Sequence, residues 1–187
     1  MQKNLNGKKV AILVENGFEQ EELTKPREAL IQSGAEALII SPVEGKVRGW
    51  NHTEWGDEFP VDIPLSQANS GDFDALLLPG GVMNPDRLRM NTAAVAFVKE
   101  FFDANKPVAS ICHGPWTLID AGVINGRTVT SWPSIREDLK NAGARWIDSE
   151  VVVDNGLVTS RKPADIPAFN EKMIEEFSEG IHERKTA

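Results

Sequence analysis

Cys112 and His113 are the residues best suited to chemistry here: the only thiol in the chain, followed at once by an imidazole. A thiolate is a strong nucleophile and a neighbouring histidine can serve as its base. The stretch before them, Pro107-Val108-Ala109-Ser110-Ile111, is short, apolar and β-branched, and reads as a buried strand. After Gly114-Pro115, Trp116, Leu118, Ile119 and Val123 follow at helical spacing, and Pro115 suits the first turn of a helix. A strand that turns sharply into a helix lifts its turn residue to the carboxyl edge of the sheet, the geometry of a nucleophile elbow. A thiol there is expected to be acidified by the helix N-terminus. Adjacent residues on a regular helix do not face one another, so the dyad requires this irregular turn. The alternative is a packed, inert thiol.

Two further stretches could complete such a site. Pro79-Gly80-Gly81 ends an apolar run with no Gly-Lys-Ser/Thr after it, which excludes a phosphate-binding P-loop. The N–H groups of Gly80 and Gly81, with that of His113, could instead form an oxyanion hole, or the pair could be only a tight turn. Glu19 follows the first apolar run in a cluster with Glu15, Glu21 and Glu22. A carboxyl held against the cysteine would have a raised pKa and could hydrogen-bond the sulfur. One cysteine and three dispersed histidines, His52, His113 and His182, offer no ligand pair at metal spacing, so no metal is expected.

The elements that must position these groups alternate. Lys9–Val14, Ala37–Ser41, Phe73–Leu78 and the run before Cys112 are near-continuously apolar, as buried parallel strands are. Between them lie a helix carrying Leu23, Arg27, Leu30 and Ile31, which Pro26 must open or kink, and one carrying Ala94, Phe97, Val98, Phe101 and Phe102, capped near Asn91 or Thr92. Residues 43–66 are broken by glycine and proline and suggest an edge hairpin or excursion around Lys46–Trp50. Arg127–Trp132 reads as a strand, Ser134–Ala142 as a helix, residues 150–160 as a hairpin turning at Asn155-Gly156, and about Ala164 to Glu179 as a final helix. The pattern predicts one α/β domain with a doubly wound, mostly parallel sheet. Its ligand crevice lies outside the strands' carboxyl ends. The loops Glu15–Glu22, Pro79–Arg87 and Cys112–Trp116 meet there only if the first, third and elbow strands are neighbours.

Composition narrows the partners. The 187 residues are 41% hydrophobic and 26% charged, with a net charge of −8. The pI near 5.0 leaves no basic stripe for nucleic acid. No run is long enough to cross a bilayer, no signal peptide is evident, and a single cysteine fits a reducing cytoplasm.

The segments VENGFEQEEL, ALLLPGG followed by PDRLR, VASICHGPWTLIDAGVINGRTVTS, IREDLKNAGA and EVVVDNGLVTSRKPADIPAF together resemble the PfpI family of the ThiJ/PfpI superfamily, from about Lys9 to Phe177. The resemblance implies a flavodoxin-like sandwich related to class I glutamine amidotransferase domains, with no cofactor. Similar members are described as intracellular cysteine peptidases, deglycases of glyoxal-type adducts, and oxidative-stress proteins. Carried over by position, Cys112 is the nucleophile, His113 its partner, Glu19 the buried glutamate on the cysteine, and Gly81 and the His113 N–H the oxyanion hole. Asp86 corresponds to an acid that a neighbouring subunit contributes, an aspartate where some members carry glutamate. The implied partners are a small-molecule or peptide substrate and further copies of the chain, as a homodimer or larger homo-oligomer. Amidotransferase activity is disfavoured, because that class separates its base from the cysteine. A redox sensor, with Cys112 oxidised to sulfenic or sulfinic acid, is the reading of a different class.

Overall fold

The structure, a computed structural model, describes residues 4–181. His182 and the rest of the C-terminal tail, and the first three residues, lie outside the described residues.

In chain order the elements are β1 (Lys9–Leu13), β2 (Phe18–Glu19), α1 (Gln20–Gln32), β3 (Glu36–Ser41), β4 (Lys46–Asn51), β5 (Glu54–Pro60) and β6 (Ile63–Pro64). Then come β7 (Ala75–Leu78), α2 (Met83–Met90), α3 (Thr92–Asp103), β8 (Val108–Ile111), α4 (Trp116–Asp120) and β9 (Thr128–Val129). The chain ends with α5 (Arg136–Asn141), β10 (Arg145–Trp146), β11 (Val151–Asp154), β12 (Leu157–Ser160) and α6 (Ile166–Glu179).

Seven strands form one sheet in the order β11-β12-β8-β7-β1-β3-β6, parallel throughout except for the edge pair β11–β12. The fold is the flavodoxin-like α/β architecture expected. Strand alternation divides the interior into two cores. Ala11, Leu13, Leu76, Leu78 and Val108 join Phe97, Phe101, Leu118 and Leu139 on the face covered by α3, α4 and α5. Val10, Ile12, Leu77, Ala109 and Ile111 join Leu23, Leu30, Phe169, Met173 and Phe177 on the face covered by α1 and α6. Both faces of the strands are therefore dry, which is why their sequences are apolar without alternation. Each fully buried Leu, Ile or Phe adds about 1.5–3 kcal/mol of transfer free energy.

Because β8, β7 and β1 are neighbours, the three expected loops do open on one edge. Other expectations change in detail. Of the two places expected for Pro26, it takes the interior of α1 and not its start, so its missing N–H deprives the Glu22 carbonyl of its helical donor. Residues 43–66 are not merely a hairpin at the sheet's edge. β4 and β5 pair antiparallel and β4 joins β2, making a separate three-stranded sheet beside the first loop. The strand expected over Arg127–Trp132 shrinks to the two residues of β9, and a 3₁₀ turn at Pro133–Ile135 precedes the short α5. Elsewhere local chemistry is obeyed: Asn91 Oδ1 accepts from the N–H groups of Ala93 and Ala94 at 3.0 and 3.1 Å, a cap. Asn155 and Gly156 take φ of +47° and +80°, as a type I′ hairpin turn requires.

Candidate active site

Cys112 sits at the top of β8 with φ +62°, the left-handed region that few residues other than glycine adopt. Its backbone is held there from both directions. Its N–H donates to Ser160 O at 3.0 Å, and its carbonyl accepts from Trp132 N at 2.9 Å. The turn is crowded enough to demand glycine at its neighbours. A Cβ on Gly114 would lie 2.6 Å from Leu78 O and from Ser110 Oγ. One on Gly80 would lie 2.6 Å from both Cys112 Cβ and Glu22 Oε2. The expected elbow is therefore present, with its strain stored at the one cysteine.

The left-handed turn brings consecutive side chains together, as a regular helix would not. His113 Nδ1 lies 3.2 Å from Cys112 Sγ. The imidazole is 7% exposed, edge-on to Trp116 at 5.4 Å and stacked on Trp132 at 6.0 Å. Its other nitrogen, Nε2, lies 3.2 Å from Ser134 Oγ. Burial lowers the His113 pKa to about 4, so the ring is neutral and able to accept a proton.

The N–H groups of Gly81 and His113 act on the thiol in the lowering direction, so both lie on the side of the sulfur where the expected oxyanion hole would be. Gly80 is not a third. Its N–H is already engaged by Glu22 Oε2 at 2.8 Å. The loop is riveted by Asn84, fully buried, whose Nδ2 donates to Pro79 O at 2.9 Å and Gly80 O at 3.1 Å. Asn84 Oδ1 accepts from Glu15 N at 2.7 Å and so ties this loop to the one after β1. Neither Asn84 nor Ser134 carries a periodicity or motif that marks it in the sequence.

The glutamate against the thiol is Glu22, not Glu19. Glu22 is fully buried beside Cys112, and each acts on the other's ionisation. Desolvation raises its pKa to about 8. Glu19 caps α1 one turn earlier; its backbone N–H donates to Gly80 O at 3.3 Å while its carboxyl turns toward the β4–β5 hairpin. A signal for Glu22 does exist. With α1 starting at Gln20, the buried positions are 22, 23, 26 and 30, one helical stripe, and Glu22 is its only acid.

The expected acidification of Cys112 is also reversed. Burial, with the charge of Glu22 added, pushes the thiol well above its ordinary range, against the lowering effect of the Gly81 and His113 N–H groups. The helix behind it, α4, has only 5 residues and starts at Trp116, four positions beyond the sulfur, so its dipole contributes little. The resting pair is therefore a neutral thiol beside a neutral imidazole.

Asp86 lies exposed in the first turn of α2, and within one chain it does not meet His113. The pairing expected for it is one between copies. Among the described residues one histidine, His52, does join a ligand-like group. Glu19, Glu21 and His52 bring ligand atoms within 4.8 Å of one another, because the hairpin folds His52 back over the start of α1. That cluster is closed by its own contacts: His52 Nε2 bonds Glu21 Oε1 at 2.7 Å, and Lys25 also pairs with Glu21.

No helix among the described residues is long and apolar enough to cross a membrane. The profile of the DJ-1/PfpI family matches residues 8–176. Among curated proteins the chain is similar to Deglycase TK1284 of Thermococcus kodakarensis, 46% identical over 89% of this chain and 97% of that one. It is also 46% identical to General stress protein 18 of Bacillus subtilis, over 90% of this chain and 96% of that one. Among solved structures, a two-domain protein of Anabaena variabilis containing DJ-1/ThiJ/PfpI-like and ferritin-like domains superposes with a TM-score of 0.85. That match has 36% identity and covers 90% of this chain and 47% of the other.

Proposed function

Since the chain belongs to the DJ-1/PfpI family, we propose that it is a cysteine hydrolase that removes glyoxal-type adducts from amines and thiols. The observation that carries this is the convergence on one sulfur of a neutral base, His113 Nδ1 at 3.2 Å, and two backbone donors, Gly81 and His113 N–H. Relatives named deglycase support the substrate class.

The chemistry follows from the resting protonation states. His113 Nδ1 takes the thiol proton as sulfur attacks the electrophilic carbon of the adduct, so no standing thiolate is needed. Negative charge that develops on the substrate oxygen is met by the Gly81 and His113 N–H groups, already oriented by the elbow and by Asn84. At the carbinol carbon the C–S bond forms as the C–N bond breaks, and the amine leaves with the proton held by His113. The hemithioacetal then breaks its C–S bond, its hydroxyl proton returns to sulfur, and the dicarbonyl is released. Peptide cleavage would use the same parts on an amide.

The test is incubation of methylglyoxal-treated N-acetylarginine and N-acetyllysine with the protein, following recovery of the free amino acid by chromatography. A fluorogenic peptide is run in parallel. Recovery should be catalytic with the native chain and absent with Cys112→Ser. Equal recovery by Cys112→Ser, or peptide turnover without adduct release, overturns the reading.

A further inference from the structure

Catalytic histidines need a partner on the ring nitrogen that faces away from the nucleophile, since that contact decides which nitrogen is free to accept a proton. Here the away-facing nitrogen is His113 Nε2, and Ser134 Oγ stands 3.2 Å from it. Among the described residues no carboxylate or cation shares a hydrogen bond or ion pair with this ring; burial alone moves its pKa. We propose that Ser134 is the positioning residue that the chain itself supplies, beside any acid a second copy brings: it accepts a hydrogen bond from Nε2–H, favours that tautomer, and leaves Nδ1 unprotonated toward the thiol.

Three contacts hold Ser134 where this role needs it. Trp132, two residues earlier, donates its backbone N–H to the carbonyl of Cys112 at 2.9 Å and lays its ring on His113. Ile135, one residue later, is 1% exposed and packs in the core beneath α5. Trp116, the other wall of the imidazole, donates Nε1–H to Asp138 at 2.7 Å and so ties α4 to α5. Ser134 thus rides on a segment welded to the elbow, not on a free loop.

The proton transfer is closed within the chain. The S–H bond breaks, its electron pair stays on sulfur, and a new Nδ1–H bond forms. The imidazolium keeps its Nε2–H on Ser134 Oγ, and that bond strengthens because its donor is now charged. Without Ser134 the ring would be free to carry its proton on Nδ1, where it could only donate to sulfur. The role rests on the hydrolase reading for its use in turnover, but not for its detection.

The experiment compares the native chain with Ser134→Ala and Ser134→Thr in two readouts that need no substrate. Long-range ¹H–¹⁵N correlation at pH 7 reports which nitrogen of His113 carries the proton. The rate of iodoacetamide alkylation of the single cysteine reports how often the proton has moved to the ring. The native ring should be the Nε2–H tautomer. Ser134→Ala should lose that uniformity and alkylate about tenfold more slowly, the size of one hydrogen bond to a charged group. Ser134→Thr, which keeps the hydroxyl, should recover both. An unchanged tautomer and rate in Ser134→Ala, with native circular dichroism, overturn the proposal. Absence of adduct turnover in the native chain overturns the hydrolase reading instead.

Discussion

Two buried acids meet over the crevice, and their protons are not independent. Desolvation raises Glu22 to about 8, so at neutral pH its carboxyl is mostly protonated and can donate to the sulfur it touches. In that state its charge does not oppose the thiolate. Ionised, Glu22 raises the thiol further and would slow the first proton transfer. The folded pKa lies above the ordinary 4.5. The stability this carboxyl contributes is therefore full below about pH 4.5 and is lost as pH rises through 8. Glu22→Gln keeps an acceptor for the Gly80 N–H and a donor for sulfur, but has nothing to ionise. It should match the native chain near pH 4.5 and exceed it by on the order of 4 kcal/mol near pH 8, measured by urea unfolding across that range. Parallel stability profiles would show that the buried carboxyl ionises freely. His113, lowered to about 4, sets the opposite limb: attack should persist below pH 6 and fail only as the ring protonates.

At the scale of elements, the elbow is a junction of strands more than a helix start. β8 ends under the left-handed Cys112, and the next turn folds back so tightly that Gly114 is pressed against Leu78 O of β7 and Ile111 O of β8. Both are backbone atoms that cannot step aside. Gly114→Ala should therefore cost about 1–3 kcal/mol of stability. It should also lower Cys112 alkylation more than any loss of folded protein explains, because the added methyl tips His113 off its line to sulfur. Thermal melts and alkylation of the folded fraction separate these effects; a variant with native alkylation would show that the turn is slack. This junction was legible, since Pro-Val-Ala-Ser-Ile before Cys112 and Gly-Pro after it state a strand, a break and a restart. α2 was not, because Met83-Asn84-Pro85-Asp86 lacks an apolar stripe and is held by the buried hydrogen bonds of Asn84 instead. Ser134 was equally silent. A hydroxyl that matters through one contact to a residue 21 positions away leaves no local pattern.

For the whole molecule, the decisive fact is that one sheet serves two cores. Phe101 lies on the α3 side and Phe177 on the α6 side; both are essentially fully buried, and neither core contains the other's residue. The sequence made this division visible for the strands, whose unbroken apolar runs required cover on both faces. It could not show which helix covers which face, since crossover direction sets that and the apolar stripes of α1, α3 and α6 do not tell one face from the other. The site depends on both layers. β8 contributes Val108 to one core and Ala109 and Ile111 to the other, and Cys112 and Glu22 meet above them. Unfolding either layer should therefore strip the sheet of half its cover and take the site with it. Phe101→Ala and Phe177→Ala should each lose about 3–5 kcal/mol. Each should keep a single transition in which far-ultraviolet dichroism, tryptophan fluorescence and Cys112 protection from alkylation are lost together. A Phe177→Ala chain that exposed Cys112 at lower urea than it lost its helices would show a layer able to open alone. Glu22, carried on α1 of that same face, would then be a carboxyl that local opening can lift away from the sulfur.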